Sequence, residues 1–225
     1  MQETEERIVD KKKVRIGLVG AGAIMRLSHA PTIRSSDCAE LVAVFDADIQ
    51  RAEVLTSDFG GKPFDNLESM LGLKDLDAVI VATPNKFHEE GVVAAAAHGK
   101  HVLCEKPLSV DAAGGRRMVD ACNKAGVVLQ VGFNQRFWGQ VEIAKALIDA
   151  GFIGKVHQMR SIYSEKSTAY PASTGYRYDL GLSGGATIID LTIHRIDLAR
   201  HLVGDFSGVM AELVHSQLPQ VVDDN

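Results

Sequence analysis

Cysteine is scarce in this chain and badly placed for a structural role. Its three cysteines, Cys38, Cys104 and Cys122, show no metal-ligand spacing and cannot all pair. A disulfide scaffold is excluded, no metal site is expected, and a reducing compartment fits best. No apolar run approaches the roughly 20 residues that span a bilayer, so no membrane partner is expected. A basic excess is missing too: Lys and Arg number 24 against 29 Asp and Glu, a formal charge of -5. No basic face is left for nucleic acid. The N-terminal stretch is charged rather than apolar and does not read as a signal peptide. Its Lys11-Lys12-Lys13 run is balanced by Glu3, Glu5, Glu6 and Asp10, so residues 1–13 read as a solvated arm, and a cytoplasmic location is expected. What remains, 46% hydrophobic and 24% charged, can build a globular core.

The stretch Val14-Arg15-Ile16-Gly17-Leu18-Val19-Gly20-Ala21-Gly22-Ala23-Ile24 organises the first half. A run of strand formers feeds a glycine turn and then a helix. Glycines let backbone N–H groups approach an anion without a Cβ in the way, and the helix aims its positive end at the same spot. This is the opening of a dinucleotide-binding βαβ unit, with Met25 where a third glycine usually eases helix–strand packing. By itself a glycine turn is weak evidence, and its context is what raises it.

Past the turn, a helix is expected over residues 23–34, bent or shortened by Pro31. A strand over 41–45 ends in Asp46, close to the spacing at which an acid binds the adenosine ribose hydroxyls and disfavours a 2′-phosphate. The competing role for Asp46 is to cap the next helix. Helices over 50–59 and 66–71 lead to a strand over 77–82, buried on both faces as parallel strands are. Thr83-Pro84-Asn85 ends it. A helix over 86–98, a strand over 101–104 ending in Glu105-Lys106-Pro107, a Ser109-capped helix to Ala125 and a strand over 127–131 complete the alternation. Gly114 and Gly115 weaken that last helix by about 1 kcal/mol each. The pattern predicts an α/β fold with a doubly wound parallel sheet over residues 14–133. Ligands of such sheets bind at the C-terminal strand ends, where Gly20, Gly22, Asp46, Thr83, Asn85, Glu105 and Lys106 all fall.

From Asn134 the character changes, and residues 134–225 read as the start of a second domain. A helix over 141–150, a strand over 156–163, a helix over 187–203 and a strand over 209–215 are expected. Two strands make a poor sheet, which points to a fragment or to strands supplied from elsewhere. The long helix carries Asp190, His194, Asp197 and His201 in one stripe between apolar flanks. Polar groups so flanked either satisfy one another or line a cleft. For Asp190 and His194 three readings stand open: a structural pair, a zinc site lacking its further ligands, and an acid/base pair. Asp197 and His201 are left structural. Gly184-Gly185 leaves room for a backbone or another molecule beside the helix start.

Taken together, Gly20-Ala21-Gly22-Ala23, Thr83-Pro84-Asn85 with His88, Glu105-Lys106-Pro107, and Gly184-Gly185 with Asp190 and His194 resemble the Gfo/Idh/MocA family of oxidoreductases. The resemblance implies a Rossmann domain followed by an α/β domain on a mostly antiparallel sheet, which mediates homo-oligomerisation as a dimer or tetramer. It also implies that this chain is truncated at its C terminus. NAD, rather than NADP, is the implied cofactor, bound by Gly20, Gly22, Ala23, Ile24, Asp46, Thr83, Pro84, Asn85, His88, Glu105 and Lys106. Lys106, His194 and Asp190 match the family's catalytic positions. Tyr176-Arg177-Tyr178-Asp179 resembles its W-R-x-D segment with Tyr for Trp, so Arg177 is either a substrate contact or a salt-bridge partner. Asn134-Gln135-Arg136-Phe137 resembles the family's N-x-R-F segment. The implied activity is hydride transfer between nicotinamide and a secondary alcohol of a sugar, polyol or cyclitol. Transient oxidation during glycoside cleavage and nucleotide binding without turnover are the alternatives.

Overall fold

The computed structural model describes residues 13–163, 175–177, 179–185 and 187–212. Six strands, β1 (Val14–Val19), β2 (Ala39–Phe45), β3 (Lys62–Phe64), β4 (Ala78–Val81), β5 (His101–Cys104) and β6 (Leu129–Val131), form one sheet in the order β3-β2-β1-β4-β5-β6. That order belongs to the doubly wound nucleotide-binding fold, and the β1–β2, β2–β3 and β5–β6 pairs are parallel. The chain divides into two compact units, Met1–Ile80 and Val81–Asn225.

In the first unit, β1 deepens along its length until Leu18 and Val19 are buried. Its start is anchored electrostatically: Arg15 donates from its backbone N, Nε and Nη2 to the carboxylate of Asp77 at 2.9, 3.0 and 2.8 Å. The helical stretch after the glycine turn does not run regularly. A π-helical turn, Met25–His29, runs directly into α1 (Ala30–Arg34), and Pro31 follows just where the one gives way to the other. Met25 is fully buried, so the place of the third glycine is filled by a core side chain. The next helix, α2 (Ile49–Phe59), starts at Asp48, whose carboxylate accepts from Gln50 N at 3.2 Å. Asn66 caps α3 (Leu67–Leu71) through Ser69 N at 2.8 Å. The short β3 had no sequence signal. It contains Pro63 and lies at the sheet edge, where a missing N–H breaks no ladder bond.

In the second unit, α4 (His88–Ala97) and α5 (Ala112–Ala125) pack on each other. The cap of α5 is Asp111, which accepts from Gly114 N at 2.7 Å, and not the expected Ser109. Ser109 instead lies where a Cβ on Gly114 would come within 2.3 Å of its Oγ and 2.8 Å of Glu89 Oε2. The glycine that costs helix propensity is thus the one that admits close packing. Beyond β6 come α6 (Gly139–Asp149), the short α7 (Leu180–Ser183), a second π-helical turn (Thr187–Thr192) and α8 (Ile193–Val203).

The expected strand over 156–163 is absent, as is any strand at 209–212; residues 213–215 lie outside the described residues. A strand needs a neighbour for its N–H and C=O groups, and among the described residues no strand follows β6. An antiparallel sheet is therefore not seen there.

Gly184, at the end of α7, has φ +78°, and a Cβ on it would lie 2.8–2.9 Å from the backbone of Val110. Backbone strain and overlap act together there, so Gly184→Ala is expected to lower unfolding stability by about 2 kcal/mol or more. Urea denaturation monitored by circular dichroism measures it.

Candidate active site

The turn after β1 is tied to the end of β2. Gly20 N donates to Phe45 O at 2.7 Å, and Gly20 holds φ +99°. Ala21 N donates to Asp46 Oδ2 at 2.7 Å, while Asp48 N donates to Oδ1 at 3.0 Å. Oδ2 of Asp46 therefore braces the glycine turn and Oδ1 the connection from β2 to α2, and each keeps lone pairs for further donors. A Cβ on Gly22 would meet nothing within 4 Å, and Ala23 and Ile24 begin the helix, where first-turn N–H groups have no intrahelical acceptor. Open space against unpaired N–H groups fits a dinucleotide pyrophosphate.

At the end of β4, the Thr83 hydroxyl is buried with no hydrogen-bond partner among the described residues, which leaves it available to a ligand. Pro84 leads into a 3-10 turn, Asn85–Phe87. Asn85 Nδ2 donates to Ser183 O at 2.9 Å, a contact with no signal in the sequence. His88 is 1% exposed, with Nδ1 2.8 Å from Pro107 O and Nε2 2.9 Å from Thr83 O. Burial pushes its pKa down against those carbonyls. The ring braces the strand end against the Lys106-Pro107 segment, whose peptide bond is cis. Glu105 Oε2 accepts from Lys106 N at 3.2 Å, and its carboxylate would lie 3.2–3.3 Å from a Cβ on Gly132.

The main cluster gathers three distant segments of the second unit. Lys106 Nζ donates to Asp190 Oδ1 at 2.6 Å and to Asp190 O at 2.8 Å. Arg177 Nε donates to Asp190 Oδ2 at 2.8 Å. Asp190 is 7% exposed, so its charge is held by two cations rather than by water. Sequence spacing put Asp190 one turn from His194 and left open that the two form a structural or an acid/base pair. The structure assigns it differently: its carboxylate is taken by Lys106 and Arg177, and His194 Nδ1 is buried with no partner among the described residues.

His194 is half-buried, edge-on to the Phe133 ring with centroids 6.1 Å apart. Burial, then the nearby Lys106 charge, push its pKa below 6.5. Such a ring is neutral at pH 7 and able to accept a proton. Tyr176, beside Arg177, faces Asp190 and Glu105, and burial raises its pKa. Further along the helix, Arg136 forks onto Asp197, with Nε to Oδ2 at 2.7 Å and Nη2 to Oδ1. That pair secures α8 to the segment after β6. Tyr178 lies outside the described residues. Among the described residues, no cluster of His, Cys, Asp or Glu could hold a metal ion, and no helix is long and apolar enough to cross a membrane.

Comparison with known proteins adds to this geometry. Residues 14–133 match the Gfo/Idh/MocA model described as an oxidoreductase family with an NAD-binding Rossmann fold. Residues 141–225 match the Gfo/Idh/MocA C-terminal domain. Glucose-6-phosphate 3-dehydrogenase of Bacillus subtilis is 33% identical over 84% of this chain and 53% of its own length. Myo-inositol 2-dehydrogenase of Thermotoga maritima is 35% identical over 85% and 55%. The chain thus spans about half the length of these curated relatives. A levoglucosan dehydrogenase solved with NADH and levoglucosan superposes with a TM-score of 0.84 at 30% identity, covering 95% of this chain and 62% of that one.

The open space at Gly22 separates fold from binding. Gly22→Ala is expected to change unfolding stability by no more than about 0.5 kcal/mol. The same change should weaken NAD binding about tenfold or more, read by calorimetric titration.

Proposed function

This chain belongs to the Gfo/Idh/MocA oxidoreductase family, and from that premise we propose that it serves an NAD-dependent dehydrogenase acting on a secondary alcohol of a sugar, polyol or cyclitol. Residues 14–133 are the nucleotide-binding domain, and residues 134–225 begin the substrate domain. Assembly of the whole protein as a homo-oligomer, and a cytoplasmic setting, belong to the same reading. The observation that carries it is the Lys106–Asp190 pair, 2.6 Å between Nζ and Oδ1, with a neutral, half-buried His194 one turn further along the helix.

Gly20, Gly22, Ala23 and Ile24 would receive the pyrophosphate, with Asp46 fixing the turn and facing the ribose. Thr83, Pro84 and Asn85 would lie along the cofactor, and His88 would hold that strand end in place. Bound NAD supplies the acceptor for the hydride leaving the carbinol carbon. The protein handles the proton and the charge. His194 takes the hydroxyl proton, which its depressed pKa permits at neutral pH. Lys106 engages Asp190 with two N–H groups; its third can hydrogen-bond the substrate oxygen as negative charge grows there. Removal of one such donor typically costs about 10²–10³ in rate.

The test is NADH formation with a panel of polyols and sugars, run with NAD and NADP in parallel. Lys106→Met is expected to lower kcat by at least about 10²-fold while NAD affinity stays unchanged; a rate near that of the parent would remove the assignment. The pH profile carries a second expectation. His194 binds its proton less readily than an ordinary imidazole, so its base form persists as pH falls and the acid limb of kcat/KM for oxidation should lie below 6.5. An acid limb above 6.5 would exclude His194 as the acceptor.

A further inference from the structure

Arg177 stands on a built support. Asp179 accepts from Gly181 N at 2.8 Å and Leu182 N at 3.3 Å, starting α7. Ser183 Oγ donates to Asp179 O at 2.8 Å, and Ser183 O accepts from Asn85 Nδ2 at 2.9 Å. The segment that carries Arg177 is thereby tied to the end of β4. The guanidinium lies 5.2 Å from the centroid of the Tyr176 ring, within cation–π range, and reaches Asp190 Oδ2. On the other side of the carboxylate, Lys106 holds Oδ1 and the carbonyl of Asp190.

We propose that Arg177 is a positioning residue for Lys106, acting through Asp190. By occupying Oδ2 it stops the carboxylate from turning to take Lys106 with both oxygens. One Lys106 N–H then bonds Oδ1, a second bonds the Asp190 carbonyl, and the third is left for the substrate oxygen. Charge follows the same logic. Lys106 alone faces the two carboxylates of Asp190 and Glu105, and Arg177 adds the second cation that offsets them where an alkoxide develops. Arginine suits the task because its planar fork stays protonated and stacks on tyrosine. The groups facing this carboxylate are Lys106 and Glu105 from the end of β5, Tyr176 and Arg177 from the segment before α7, and His194 on its own helix, with Asp197 a turn beyond.

This inference rests on the dehydrogenase reading, and its test separates the two. Arg177→Gln, Arg177→Lys and Lys106→Met are compared in the full chain for kcat, KM and pH profile. Arg177→Gln is expected to lower kcat roughly tenfold to a hundredfold at little-changed KM. Its acid limb, assigned to His194, should move to higher pH, because removing a cation from the cluster makes protonation of the remaining groups easier. Arg177→Lys should recover part of the rate, and added guanidinium should restore some activity to Arg177→Gln. A raised KM with kcat preserved, an unmoved acid limb, or Arg177→Lys no better than Arg177→Gln would overturn the proposal. If Arg177→Gln does not fold, Arg177→Lys decides: a several-fold lower kcat at unchanged KM supports it, and a parental kcat or raised KM overturns it. An inactive Lys106→Met beside an unaffected Arg177→Gln removes only the role of Arg177. A fully active Lys106→Met removes the dehydrogenase reading beneath it.

Discussion

A buried carboxylate cannot stay ionised alone, and that of Asp190 orders the second unit by drawing two cations to itself. Leaving such a group without partners costs several kcal/mol, and breaking a buried pair costs about 3–5 kcal/mol. The end of β5, the segment before α7 and the turn leading into α8 are far apart in sequence. Their meeting at Asp190 is a consequence of that cost. The Arg136–Asp197 fork repeats the solution nearer the middle of the helix, where Asp197 is 6% exposed. Together the two pairs set the placement of α8, and with it the ring of His194.

Two glycines and one aspartate do comparable work in the first unit with less charge. Gly20 takes the positive φ, Gly22 leaves open space, and Asp46 closes the turn by accepting Ala21 N. On the proposed reading that backbone is set for an anion before any ligand arrives, which would lower the ordering cost of binding. Asp46 thus combines turn geometry with the chemistry expected of a ribose contact. Neither task competes with the other, since a carboxylate offers about four acceptor sites.

Alternating apolar runs and glycine stops made the sheet legible, because strand period and turn chemistry are local properties. The same locality explains what stayed hidden. β3 is three residues long and contains proline, so it exists only because β2 offers its edge. The start of α5 is capped by Asp111 rather than Ser109, whose side chain lies against Gly114. For the site, the strand ends named Thr83, Asn85, Glu105 and Lys106, and helical spacing named Asp190 and His194. What spacing could not reveal is which partner Asp190 prefers. An i,i+4 relation offers His194, but two cations brought in by the fold outbid a neutral ring. Ser183 and Phe133 carry no chemical signature and are visible only in three dimensions.

The claim at the centre is that Lys106 and Asp190 act as one unit on the substrate oxygen while the hydride leaves its carbon. A double-mutant cycle on single-turnover hydride transfer, with Lys106→Met and Asp190→Asn separately and together, addresses it without assuming a particular substrate contact. Groups that share one function lose it once, so the double variant should be scarcely slower than the worse single variant, a coupling of about 2 kcal/mol or more. Strictly additive losses would mean that the two residues work independently, and would contradict this account.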